Sequence, residues 1–67
     1  MGVSYNKLFK LLIDKKMKKK DLMQAAGISQ SSMAKLGKDE YVSMDILVKI
    51  CVALQADIGD IMEVTLE

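Results

Sequence analysis

Between Lys19 and Leu36 the chain reads KKDLMQAAGISQSSMAKL, and four of its side chains stand out for what they could bind: Gln30, Ser31, Ser32 and Lys35. They fall on a stretch of helical spacing in which Met33 and Leu36 take the inward positions. The outward face is then small and polar, with one cation. Such a helix is slim enough to enter a nucleic-acid major groove about 12 Å wide and to hydrogen-bond base edges there. A Gln near its start can bridge adenine N6 and N7 or meet a phosphate, and Lys35 can reach guanine or the backbone.

Other chemistry finds few candidates. There is no His, which removes the commonest general base and metal ligand. Cys51 stands alone inside an apolar run, where it serves as a small buried hydrophobe, and no glycine-rich phosphate loop is present. Asp57, Asp60 and Glu63 recur at helical spacing and read as a cap and a solvated face. The six Met fill core gaps, and one Phe with two Tyr (Tyr5 and Phe9 among them) are too few for a single-strand stacking platform. The sequence therefore predicts no enzyme, no cofactor and no metal site.

Charge is segregated along the chain. Residues 1–38 hold nine Lys against Asp14 and Asp21, whereas residues 39–67 hold one Lys and seven acids, although the whole chain is only +1. A basic half and an acidic half suit docking on a polyanion in one orientation. At 67 residues a single domain over 1–67 is expected, burying about 60% of the surface its unfolded form exposes. The uncharged apolar run Ile50–Leu54 is too short to span a bilayer. With the lone Cys and no export-like apolar stretch at the N-terminus, this points to the cytoplasm and away from membranes.

Five helical segments are predicted to carry these residues. The first runs from about Ser4, as N-cap, to Lys15, with Tyr5, Leu8, Phe9, Leu12 and Ile13 inward. Met17 tucks into the core within the following basic run. A second helix, roughly Lys19–Ala26, buries Leu22, Met23 and Ala26 and stops at Gly27, which supplies a left-handed C′ residue. The third is capped by Ser29 and runs to about Leu36, with Ile28 ahead of it as a staple; the helix-turn-helix thus spans about 19–36. Gly37–Val42 is a polar loop. Ser43 caps a fourth helix, Met44 to about Gln55, whose stripe is Leu47, Ile50, Cys51 and Leu54. Asp57, with Asp60 three residues on, opens a short fifth helix at about Ile58–Glu63, and the tail Val64–Glu67 is either a short strand or frayed. No strand pattern competes, so the class is all-α.

DLMQAAGISQSSMAKL, the Ser43-led VSMDILVKICVAL and the ending ADIGDIME together resemble the Cro/C1-type (xenobiotic-response-element-type) helix-turn-helix regulators, over nearly the whole chain. The resemblance implies a compact five-helix lambda-repressor-like DNA-binding domain with 29–36 as recognition helix. Gln30, Ser31, Ser32 and Lys35 would read bases. Lys18, Lys19 and Lys20 at the start of the preceding helix, with Ser29 and Lys38, would hold the DNA backbone, since a helix N-terminus offers unpaired N–H groups and positive dipole to phosphate. The implied activity is transcriptional regulation through double-stranded DNA, most simply repression, by a homodimer joined through helix 5 and the C-terminal tail. The alternative is an antitoxin-like or anti-regulator interaction module that uses the acidic half and does not bind DNA by itself. Three positions depart from the family pattern. Met23 replaces a small residue at the helix crossing, Lys18 a hydroxyl cap, and Gly37–Tyr41 an Asn-Gly-rich loop. The last departure sets Asp39 and Glu40 near the expected DNA edge, where they would weaken backbone contact or engage a partner.

Overall fold

A computed structural model describes residues 2–66, as β1 (Gly2–Ser4), α1 (Asn6–Asp14), α2 (Lys19–Ala26), α3 (Gln30–Gly37), α4 (Met44–Leu54), α5 (Ile58–Ile61) and β2 (Glu63–Thr65). Each helix lies within a residue or two of its predicted span except at the ends of the chain. There the helical pattern gives way to a two-stranded antiparallel ribbon, Gly2 opposite Thr65, Val3 opposite Val64 and Ser4 opposite Glu63. Three-residue strands carry too little alternation to announce themselves, and pairing partners from opposite ends of the chain leave no local trace. The tail expectation resolves to a strand over Glu63–Thr65, while Met1 and Glu67 lie outside the described residues.

The ribbon shifts the start of α1. Ser4 belongs to β1 and is buried; Tyr5 takes the cap position, and the Ser4 hydroxyl accepts the Asn6 N–H from one residue further back, at 3.3 Å. Ile13 is corrected too: it is 74% exposed, because the α1 stripe that reaches the core is Tyr5, Leu8 and Leu12, with Phe9 and Leu11 at its margin; Met44, expected to fill a core gap, likewise stands exposed at the start of α4. α5 is also shorter than expected, ending at Ile61 where Glu63 begins the strand.

One core joins all five helices: Tyr5, Leu8 and Leu12, then Leu22, Ile28, Met33 and Leu36, then Leu47, Ile50, Leu54 and Ile61. Each fully buried Leu or Ile contributes about 1.5–3 kcal/mol of apolar transfer, and partly buried side chains such as Phe9, Met17, Met23 and Ile46 add to it at the core margin. Cys51 is half-buried at the core margin, and burial, aided by the charges of Asp57 and Asp60, pushes its thiol pKa up, as suits a packing role. α2 packs on α4, α1 on α5, and α3 on α2.

Four of the helices stop in the same way. The residue after the last turn is left-handed (Lys16 φ 57°, Gly27 φ 68°, Asp39 φ 55°, Gln55 φ 52°). In each case the next N–H reaches back five residues: Met17 to Leu12 O at 2.9 Å, Ile28 to Met23 O at 3.2 Å, Glu40 to Lys35 O and Ala56 to Cys51 O both at 3.0 Å. This is the Schellman closure, usually made with Gly. Three of the four stops here use residues that carry a Cβ, so sequence punctuation marks Gly27 and misses the others. Asp39 also lengthens α3 by a residue at the expense of the expected loop, since its closure admits Gly37 to the helix.

Candidate nucleic-acid interface

α2 begins without the hydroxyl cap. Lys18 is extended, and its backbone N–H donates to the Asp21 carboxylate at 2.9 Å. A lysine side chain cannot accept in return, so half of a capping box forms, and the Lys18 ammonium is left for solvent or an anion. Lys19 and Lys20 follow in the first turn, both exposed, at the positive end of the helix dipole. The Lys19 ammonium lies 5.5 Å from the centroid of the Phe9 ring, a cation–π contact that restrains its stem.

Gly27 turns the chain, and Ile28 seats beneath the turn, 7% exposed. Ser29 then starts α3 by accepting the Ser32 N–H at 3.2 Å. Its hydroxyl also lies 3.2 Å from Ser32 Oγ, to which it donates, and 3.0 Å from Ser31 Oγ. With one proton on each hydroxyl, Ser31 must donate to Ser29. The Ser29 hydroxyl is thereby saturated, and its side chain positions the helix. Met33 and Leu36 hold α3 to the core from behind.

Outward, Gln30, Ser31, Ala34 and Lys35 are exposed, whereas Ser32 is half-buried beside the cap. A shallow groove between the two helices is lined by Lys19, Met23, Gln30, Ala34, Gly37 and Lys38. Lys19 and Lys38, far apart in sequence, thus line one groove together with Gln30. Met23 forms part of its floor; its flexible stem accommodates the crossing that a small residue makes in the family pattern.

The basic half of the sequence does not all belong to this face. Lys7, Lys10 and Lys15 share another groove with Asp14, Asp60 and the end of α4, and the Lys7 ammonium donates to Gly59 O at 3.2 Å. Lys7 thereby ties α1 to α5, and Lys10 and Lys15 lie along the same groove. Lys18, Lys19, Lys20, Lys35 and Lys38 are the ones on or beside the helix-turn-helix, a tighter set than sequence charge suggests.

Asp39 has a role that the sequence does not announce. Its carboxylate accepts the Tyr5 N–H at 3.0 Å, and the Tyr5 hydroxyl donates to Glu40 O at 2.8 Å. Tyr5 is 1% exposed, and its burial pushes the phenol pKa up. The Asp39 carboxylate and the Glu40 backbone carbonyl therefore carry the lock between the end of α3 and the start of α1. Partners 34 and 35 positions apart explain why no local pattern shows it.

The Cro/C1-type helix-turn-helix DNA-binding domain matches residues 7–67. The chain belongs to that family. It is also similar to the crystal structure of the transcriptional regulator VanUg, with 56% identity and a TM-score of 0.93 over 98% of this chain and 88% of that one. No curated protein matches. As a Cro/C1-type domain the chain is mostly helical, with five helices and a minor two-stranded sheet, and its family is one of DNA-binding domains. Among the described residues no helix is long and apolar enough to cross a membrane.

Proposed function

We propose that this protein is a cytoplasmic transcription regulator that binds double-stranded DNA sequence-specifically, with α3 in the major groove, and represses by occluding a promoter. The observation that carries this reading is the presentation of Gln30, Ser31 and Lys35 on the free face of a helix fixed behind by Met33 and Leu36 and at its start by Ser29. Gln30, Ser31 and Lys35 read base edges, with Ser32 at the margin through its own hydroxyl proton. Lys18, Lys19, Lys20 and Lys38 neutralise phosphates, and Ser29 sets the first turn of α3 against the backbone. The similarity to a structure titled a transcriptional regulator supports regulation as the outcome of binding.

A single small module buries about 600–1,000 Å² on DNA, which gives modest discrimination. The protein therefore works as a homodimer on half-sites about 34–36 Å apart. α5 and the tail, the surfaces expected from the sequence, expose Ile58, Val64 and Leu66.

The test is fluorescence anisotropy of a labelled duplex at about 50 and 200 mM salt. Four phosphate-binding lysines imply a log–log slope of about −3.6, so affinity should fall roughly 150-fold per bound protomer over that range. Failure to bind at either salt by protein whose circular dichroism is helical would sink the DNA reading.

A further inference from the structure

α4 has two apolar faces. Leu47, Ile50 and Leu54 fill the core, while Met44, Val48 and Val52 stand outside it, 65%, 51% and 72% exposed. Their spacing of four makes them one continuous ridge along the helix. The ridge borders a shallow groove completed by Cys51, Ala56 and Ile58. Together these side chains expose roughly 400–500 Å² of mostly apolar surface, in the range of the largest patches on a typical monomer, which are often functional.

We infer that this face is where a second copy of the chain docks, α4 against α4 about a two-fold axis. The ridge is complementary to itself. With the axis at Val48, Met44 of one copy meets Val52 of the other, and two such ridges interdigitate in the commonest helix-packing class, crossing near about −50°. Charge allows the approach as well. Asp45 and Lys49, which flank the ridge, are closed on each other at 3.2 Å, and the unpaired carboxylate on this face, Asp57, lies in the groove beyond the ridge and holds the Ile58 N–H. The area fits a particular strength: the two apolar patches together give roughly 800–1,000 Å², and a polar rim carries the total past the lower bound of about 1,000 Å² for specific interfaces while leaving it short of the usual ~1,600 Å².

This placement rests on the DNA reading for its use. α2 lies between α3 and α4 and packs on both. At helix spacings of 8–10 Å, the axes of α3 and α4 are at most about 20 Å apart, so the two copies of α3 can lie up to about 50 Å from each other, which spans a half-site separation of 34–36 Å. The share of α5 in the interface narrows to Ile58. The tail's backbone is held in the ribbon, where Val64 pairs with Val3, while the Val64 and Leu66 side chains remain exposed, Leu66 being tested below.

Sedimentation of the full chain between about 1 and 300 µM tests the interface, with Val48→Glu, Val52→Glu and, as a control on the tail, Leu66→Glu. All three sites are exposed, and circular dichroism checks that each variant is folded. The expected result is a concentration-dependent dimer for the wild type and Leu66→Glu, and a monomer for both α4 variants. A wild type monomeric throughout, a dimer that survives both α4 substitutions, or one lost in Leu66→Glu alone would overturn the inference. Salt-dependent binding of a generic duplex by monomeric Val48→Glu, with loss of cooperative binding on a two-fold site, keeps the two readings apart: if no form binds DNA, the DNA reading fails and the dimer stands on sedimentation.

Discussion

Substituting Asp39 separates two tasks that one side chain performs. Its backbone sits at φ 55°, where a Cβ is strained, and its carboxylate holds the part-buried Tyr5 N–H at 3.0 Å. Asp39→Ala forfeits the hydrogen bond, about 1.5 kcal/mol for a charged acceptor at a half-exposed site, and places a residue poorly suited to the left-handed region, adding up to about 1 kcal/mol. Asp39→Gly forfeits the same bond but relieves the backbone, so its net loss is about 0.5–1 kcal/mol. Asp39→Asn keeps an acceptor and tolerates the conformation, and should lose at most about 1 kcal/mol. Stability should therefore fall from wild type through Gly to Ala, the last gap being about 1 kcal/mol, or some 4–8 °C in melting temperature for a chain this small. Urea unfolding followed by far-ultraviolet circular dichroism measures all three. If Ala is as stable as wild type, or Gly is less stable than Ala, the assignment of Asp39 as both helix stop and lock is wrong. A purely electrostatic role at the DNA edge predicts something different: equal stabilities and tighter DNA binding in every variant.

Three further outcomes are expected. Lys35→Ala should cost about 1–3 kcal/mol of DNA binding and relax preference at one base pair; an equal loss on matched and mismatched sites would show that Lys35 touches phosphate instead. Gln55→Gly, at the left-handed residue after α4, should raise stability by about 0.5–1 kcal/mol in thermal melts, and a lower melting temperature would count against strain there. Because burial raises the Tyr5 pKa above its ordinary value near 10, the folded form keeps the proton where the unfolded chain loses it; stability should hold below about pH 9 and fall as pH rises past 10, less steeply in Tyr5→Phe, as followed by unfolding at stepped alkaline pH.

The helices α2, α3 and α4 are legible because each writes its own signals locally. Ser29 and Ser43 stand at their N-caps and accept the third N–H beyond, Gly27 stops α2, and the inward positions of α2, α3 and α4 recur with the helical period. Asp57 likewise accepts the Ile58 N–H at 2.8 Å while Asp60 accepts the Asp57 N–H at 3.0 Å, as the short acidic spacing leads one to expect. Ile13 misled because periodicity gives the width of a stripe but not where the neighbouring elements end. The stops at Lys16, Asp39 and Gln55 were silent because a left-handed residue with a Cβ has no compositional mark.

The candidate interface residues could be proposed from the sequence because the helix-turn-helix is a local unit whose turn, Ser29 cap and inward positions lie within about 19–36, with Lys18 and Lys38 at its two edges. What their types could do chemically follows from composition and spacing alone. Their sharing of a surface does not. Lys19 and Lys38 line one groove because α3 folds back across α2, while Lys7, Lys10 and Lys15, identical in kind, line another, where Lys7 bonds to α5. The same holds for the Tyr5–Asp39 lock, the terminal ribbon and the outward ridge of α4. Each depends on which distant segment arrives alongside, and that is decided by the joint burial of one small core, a property of the whole chain that no stretch of it states.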